Sequence, residues 1–172
     1  YTQVLDHDGN VLLDNSTPDT HEVIKDSTAY LLTSAMEDVI NQGTGTAARL
    51  DNMHAAGKTG TTQNSTDLWL SAYTPYYTAS VWGGYDSNKH MENMSQSWHS
   101  RLWKEIMERV HENLEDKDFE VPSSVVECTV CSETGLLAVS SCPSYTEYFS
   151  KDNAPTQSCS GHYVEPEPEE VF

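Results

Sequence analysis

His54-Ala55-Ala56-Gly57-Lys58-Thr59-Gly60-Thr61-Thr62 is the most informative stretch of the chain. It reads as part of a strand over 53–62, with Lys58 carrying the only full charge between residues 54 and 62. A Gly-Lys-Thr string also ends phosphate-binding loops, where backbone N–H groups cradle phosphates and the lysine reaches the outer ones. That loop needs a glycine five residues before the second one. Asn52 stands there and no apolar strand feeds the position, so the nucleotide reading is set aside.

The segments on either side suggest a sheet with helices. Downstream, 68–73 and 77–85 are rich in Trp, Tyr and Val and are separated by Pro75, as adjacent antiparallel strands are. Upstream, Leu31, Leu32, Ala35, Met36, Val39 and Ile40 recur at helical spacing, with Asp26 or Ser27 as the expected N-cap and Gly43 as a stop. Gly43-Thr44-Gly45-Thr46 reads as a flexible turn. At the start of the chain, Asp8-Gly9 between two short apolar runs predicts a hairpin. A second helix is marked by Leu102, Trp103, Ile106, Met107, Val110 and Leu114, a stripe expected to be core. Trp69, Tyr73, Trp82 and Tyr85 suggest packing between strands more than stacking on a substrate, and Trp98 and Trp103 are read the same way.

The chain has 172 residues, with 9 Lys+Arg against 27 Asp+Glu, a formal net charge of −18. That acidity argues against binding to a phosphate backbone or to an anionic membrane surface, so no nucleic-acid partner is expected. The acids gather at 112–120 and after residue 164, away from Lys58. The polar link at 115–120, followed by Pro122, predicts a boundary near residue 120: a first unit over 1–120 and a cysteine-containing extension over 121–163. The Pro/Glu-rich stretch 164–172 is expected to be a disordered acidic tail.

The order of these features carries a resemblance. A helix is followed by Gly43-Thr44-Gly45-Thr46-Ala47-Ala48, then Ala56-Gly57-Lys58-Thr59-Gly60-Thr61-Thr62, then Asp67-Leu68-Trp69-Leu70, then Val81-Trp82-Gly83-Gly84-Tyr85-Asp86, and then a closing helix. This resembles the C-terminal part of the transpeptidase domain of class A bifunctional penicillin-binding proteins of Gram-positive type. The resemblance implies an α/β architecture, a partial penicillin-binding/β-lactamase-like transpeptidase fold: an antiparallel sheet flanked by helices, with Lys58 on its active-site edge. It implies a substrate ending in a free carboxylate, a peptidoglycan stem peptide ending in D-Ala-D-Ala or a β-lactam. Lys58 would supply the charge, Thr59 and Thr61 hydroxyl donors and Gly60 a thin wall, with Thr62 among the substrate-binding residues. The N–H of Thr61 would be one donor of an oxyanion hole. The resemblance also implies an extracytoplasmic location, anchored to the membrane through another part of the parent protein, and no cofactor.

In this family the nucleophile is the serine of a Ser-x-x-Lys motif, assisted by a Ser-x-Asn motif. No serine of this chain has lysine three positions on or asparagine two positions on. The expectation is a chain that holds one wall of an active site, relies on the rest of the parent protein and is inactive by itself. The uncovered sheet face should make it marginally stable or self-associating. The alternative is a noncatalytic envelope-binding module that keeps a degenerate acyl-transferase fold and a stapled tail.

Cys128-x-x-Cys131, Cys142 and Cys159-x-x-His162 offer five candidate ligands. The spacing suits zinc. The compartment implied by the resemblance favours instead two disulfides, with Cys128 and Cys131 cross-paired to Cys142 and Cys159. Cys131-Ser132-Glu133-Thr134-Gly135-Leu136-Leu137-Ala138 and Cys142-Pro143 extend the resemblance toward Tyr163.

Overall fold

The computed structural model describes residues 1–17, 19–87, 89–91 and 95–162; the tail expected at 164–172 lies outside them. In chain order the elements are β1 (Gln3–Leu5), β2 (Val11–Asp14), α1 (Asp26–Asn41), β3 (Ala56–Thr61), β4 (Asp67–Tyr73), β5 (Thr78–Gly84), α2 (Trp98–His111), β6 (Val125–Cys131) and β7 (Ser144–Ser150). Among the described residues the strands form three antiparallel sheets, β1-β2, β3-β4-β5 and β6-β7.

The first hairpin turns where Asp8-Gly9 predicts it. Gly9 takes φ +84°, and the Asp6 carboxylate accepts from the N–H groups of Asp8 and Asn10 at 2.9 and 2.8 Å. The expected cap of α1 differs. Asp26 is the first helical residue rather than the cap, and Lys25 precedes it with no side-chain cap bond. Asp26 has other partners: it accepts from the N–H of Ser27 and from the hydroxyl of Ser124, each at 2.6 Å.

The central sheet is two-faced. In β4, Leu68, Leu70 and Ala72 are buried while Trp69 and Ser71 alternate outward. Leu70 and Ala72 share one core with Ile40 of α1, Trp103 and Met107 of α2, and Ala48, Leu50, Met53 and Ala55 from the connection between α1 and β3. The indole N–H of Trp103 donates to the Ala79 carbonyl at 3.0 Å, which fixes α2 on β5. Gly57 is required where β3 meets β4, because a Cβ there would lie 2.4 Å from that of Ala72. His111 closes the core polar network. Its Nδ1–H donates to the Met107 carbonyl and its Nε2 accepts from the Thr74 hydroxyl, both at 2.8 Å.

Two expectations change. The strand begins at Ala56 rather than 53, because Met53 and Ala55 are used as core residues in the approach to it. Of the second helix's stripe, only Trp103 and Met107 are buried within α2; Leu102, Ile106 and Val110 are 42, 46 and 46% exposed. Those three are spaced by four residues and form a row of their own beside the packed one.

The hairpin of β6 and β7 leans on α1. Tyr148 meets Tyr30 edge-on with ring centroids 5.2 Å apart, Ser124 bonds Asp26, and Lys25 pairs with Asp152 at 3.7 Å.

Candidate functional site

β3 is an edge strand of its sheet, paired only with β4 among the described residues. Its register sets Lys58 opposite Ser71, Thr59 opposite Leu70, Gly60 opposite Trp69 and Thr61 opposite Leu68. Thr62 donates its N–H to the Asp67 carbonyl at 3.2 Å, so residue 62 sits in a hydrogen-bonded pair. Antiparallel alternation then sends the backbone groups of Gly60 and Lys58 to β4 and those of Thr59 and Thr61 to the open edge. This edge therefore offers a carbonyl and an N–H in strand geometry to whatever lies beside it.

Lys58 is exposed and its ammonium donates to the Thr59 carbonyl at 2.8 Å. Among the described residues no carboxylate pairs with it. Its charge is thus held at the strand edge by a neutral partner and is available to an anion. Thr59 is oriented by a contact that the sequence did not reveal: its hydroxyl lies 2.7 Å from that of Thr44. Thr44 is placed by the turn after α1, where Gly43 and Gly45 donate to the carbonyls of Asp38 and Val39, each at 2.9 Å. The turn read as flexible is therefore a fixed bracket for the strand. At Gly60 a Cβ would approach only the Trp69 side chain, at 3.2 Å. Beyond the strand, Thr62 and Thr66 bond Asp67, and the indole N–H of Trp82 donates to it at 3.0 Å. These donors, Trp82 foremost, hold the Asp67 carboxyl below its ordinary pKa.

On the outward face Trp69 and Trp82 oppose each other with centroids 6.2 Å apart, and the hydroxyls of Ser71 and Ser80 meet at 2.8 Å. The indoles pack between strands as expected, yet each is 44% exposed. Tyr73 lies edge-on to Phe119 at 5.5 Å, and Tyr85 lies under the Lys89 ammonium at 5.3 Å. The Trp98 ring covers Gly83, and Trp103 is buried.

His54, at the head of the quoted stretch, lies 3.3 Å from Glu37 and 3.2 Å from Asp118, joining the approach to β3, α1 and the acidic link. Burial, with Asp118 adding to it, raises the Glu37 carboxyl above its ordinary pKa. Nothing in the spacing of these three residues signals their meeting.

The C-terminal candidates divide. Cys131, Cys142, Cys159 and His162 converge, with their ligand atoms all within 4.8 Å of one another. His162 Nε2 lies 2.9 Å from Cys131 Sγ and 3.4 Å from Cys159 Sγ, while its Nδ1 faces the Glu133 carboxylate at 3.0 Å. Hydrogen bonds, that of Thr134 foremost, lower the Cys131 thiol to about 6. Cys128 does not join them. It and Cys131 lie three residues apart on one strand, so their side chains point to opposite faces. All four cysteines are free thiols, and the expected cross-pairing of Cys128 into a disulfide is not the arrangement found.

An antiparallel sheet with a Lys-Thr-Gly edge strand and flanking helices is the frame of the penicilloyl-serine acyl transferases. The family model for the penicillin-binding protein transpeptidase domain matches residues 3–108, and that for the penicillin-binding protein 1A C-terminal domain matches 121–163. The chain belongs to the penicillin-binding protein transpeptidase family. Penicillin-binding protein 1A of Clostridium perfringens is 36% identical over 94% of this chain and 20% of its own length. Penicillin-binding protein 1A/1B of Bacillus subtilis is 33% identical over 90% of the chain and 19% of its length. The crystal structure of penicillin-binding protein 1A from Haemophilus influenzae superposes with a TM-score of 0.60 at 24% identity, over 80% of this chain and 22% of that one. The chain thus spans about a fifth of the length of the curated relatives it matches.

Proposed function

We propose that this chain forms the carboxylate-binding wall of a peptidoglycan D,D-transpeptidase of the serine acyl-enzyme type. The observation that carries the reading is the open edge of β3, where Lys58 has no carboxylate partner among the described residues and the backbone of Thr59 and Thr61 faces outward. A stem peptide ending in D-Ala-D-Ala, or a β-lactam, adds to this edge as a strand. Lys58, Thr59 and Thr61 hold its carboxylate, Thr62 continues the strand, and the flat surface at Gly60 admits its backbone.

The nucleophile is the serine of a Ser-x-x-Lys motif supplied by another part of the same protein, with a Ser-x-Asn motif beside it. Its oxygen attacks the penultimate D-Ala carbonyl, and the Thr61 N–H with the serine's own amide stabilises the oxyanion. The C–N bond breaks, D-Ala leaves carrying the proton, and an amine from a second strand takes the acyl group. Lys58 aids the proton's path past the Ser-x-Asn serine while its charge holds the substrate. No cofactor enters these steps. The 172 residues alone form no acyl-enzyme. Their place is outside the cytoplasmic membrane, with residues 1–120 as the back of the catalytic domain and 121–163 as an extension; among the described residues no helix is long and apolar enough to cross a membrane.

The test is acylation by a labelled penicillin. The 172-residue chain acquires no stable adduct, and in the longer protein Lys58→Ala lowers the acylation rate constant by about 100- to 1,000-fold, the scale of losing one transition-state donor. A stable adduct on the chain alone overturns its inactivity, and an unchanged rate in the variant overturns the role of Lys58.

A further inference from the structure

The geometry points to a structural zinc ion bound by Cys131, Cys142, Cys159 and His162. Three independent connections bring these residues together: the end of β6, the turn at 139–142, and the segment after β7. A tetrahedral zinc with Zn–S of about 2.3 Å and Zn–N of about 2.0–2.1 Å separates its ligand atoms by about 3.5–3.8 Å. The observed 3.4 Å between Cys159 and His162 is about 0.1 Å short of this, and the 2.9 Å contact of Cys131 with His162 needs to open by about 0.6 Å.

The groups around these four side chains suit a metal. The Glu133 carboxylate lies 3.0 Å from His162 Nδ1, where its charge favours a proton on that nitrogen and leaves Nε2, the nitrogen beside the thiols, for a metal. The N–H of Val139 points at Cys142 Sγ at 3.4 Å. Gly161 is needed here: it takes φ +89°, and a Cβ would lie 2.7 Å from Ser141 Oγ, the same oxygen that accepts from the His162 N–H at 3.3 Å. A disulfide explains this less well. It would use two of three converging thiols and leave the third thiol and the imidazole without a purpose. Cys131 and Cys159 are buried and all four positions are filled by protein, so the site is closed and structural rather than catalytic. Its mechanical effect is to staple the chain's C-terminal segment to β6, beneath the hairpin that leans on α1.

The experiment uses the 172-residue chain purified under reducing conditions, with zinc alone as the added ligand. Elemental analysis is expected to give one zinc per chain. Cobalt in its place should give thiolate-to-metal charge-transfer absorption and tetrahedral ligand-field bands. Cys128→Ser should keep both, Cys159→Ser should lose them, and Glu133→Gln should weaken zinc binding by about 10- to 100-fold. Two disulfides with no free thiol, no zinc retained by the reduced chain, bound iron and sulfide in its place, or loss of zinc on Cys128→Ser would each overturn the assignment. The cobalt spectrum is read on the unsubstituted chain, so a variant that fails to fold does not decide the question.

Discussion

The two parts of the molecule use their polar side chains in opposite directions. On the β3 edge, Lys58 and the backbone of Thr59 and Thr61 face away from the protein, and few of them have an internal partner beyond the Thr44 bracket. In the C-terminal hairpin, three thiols and an imidazole face one another, Cys131 and Cys159 buried and Cys142 and His162 half-buried. A group that looks outward contributes little to its own fold, whereas a closed set contributes to stability. The two sites should therefore respond separately.

Removing zinc has the largest expected effect on stability. A ligand present at 1,000 times its Kd stabilises the folded state by about 4 kcal/mol, and for a chain of this size each kcal/mol moves Tm by about 2–4 °C. Stripping the metal with a chelator should lower Tm by roughly 8–16 °C. Lys58→Ala should leave Tm nearly unchanged, within the about 0.5 kcal/mol usual for exposed positions. Calorimetry of both samples checks the pair, and a large loss from Lys58→Ala would end the distinction between them.

The sequence revealed these regions unevenly, for physical reasons. The Lys-Thr-Gly strand and its partners β4 and β5 were legible because alternation and turn chemistry are local, and the family's order of motifs confirms them. The start of β3 was not, since Met53 and Ala55 are apolar for the core and not for the strand. Nor was the bond between Thr44 and Thr59, fifteen residues apart, which depends on how α1 ends. For the cysteines, spacing placed Cys128 and Cys131 together, but strand geometry turns them to opposite faces. Pairing between β6 and β7 brings Cys142 to Cys131, and the bonds of Leu137 with Gln157 and Cys159 bring Cys159 to them, which no count of intervening residues contains.

A smaller effect is expected at the exposed row of α2. Helical periodicity records that residues are apolar, and Leu102, Ile106 and Val110 show that it does not record whether this chain covers them. Together with Trp69 and Trp82 they leave the part built on β3-β4-β5 with two exposed apolar surfaces. Ile106→Lys should reduce self-association of the 172-residue chain, read by sedimentation over a concentration series, with a change in stability of no more than about 0.5 kcal/mol. Unaltered association would move the sticky surface from α2 to the tryptophan face.

The finest separation is in pH. His99, in the first turn of α2, is buried, its Nδ1 has no hydrogen-bond partner among the described residues, and burial lowers its pKa, opposed by a backbone contact with Trp69. A histidine with a depressed folded pKa contributes stability that is fully present above its unfolded value of about 6.5 and is lost as the pH falls through the folded one. In that range the unfolded chain binds more protons than the folded chain, so acid favours unfolding. His99→Gln removes this proton uptake while keeping a polar side chain of similar length. Melting temperatures of both proteins from about pH 7.5 to about pH 5 should show a shallower acid decline in the variant. The other histidines cancel in the difference, so the change in slope reports His99 and the packing of α2 on the sheet. Equal slopes would mean that His99 is already accessible to protons in the folded chain, and that the core beneath the β3 wall is looser than its buried side chains imply.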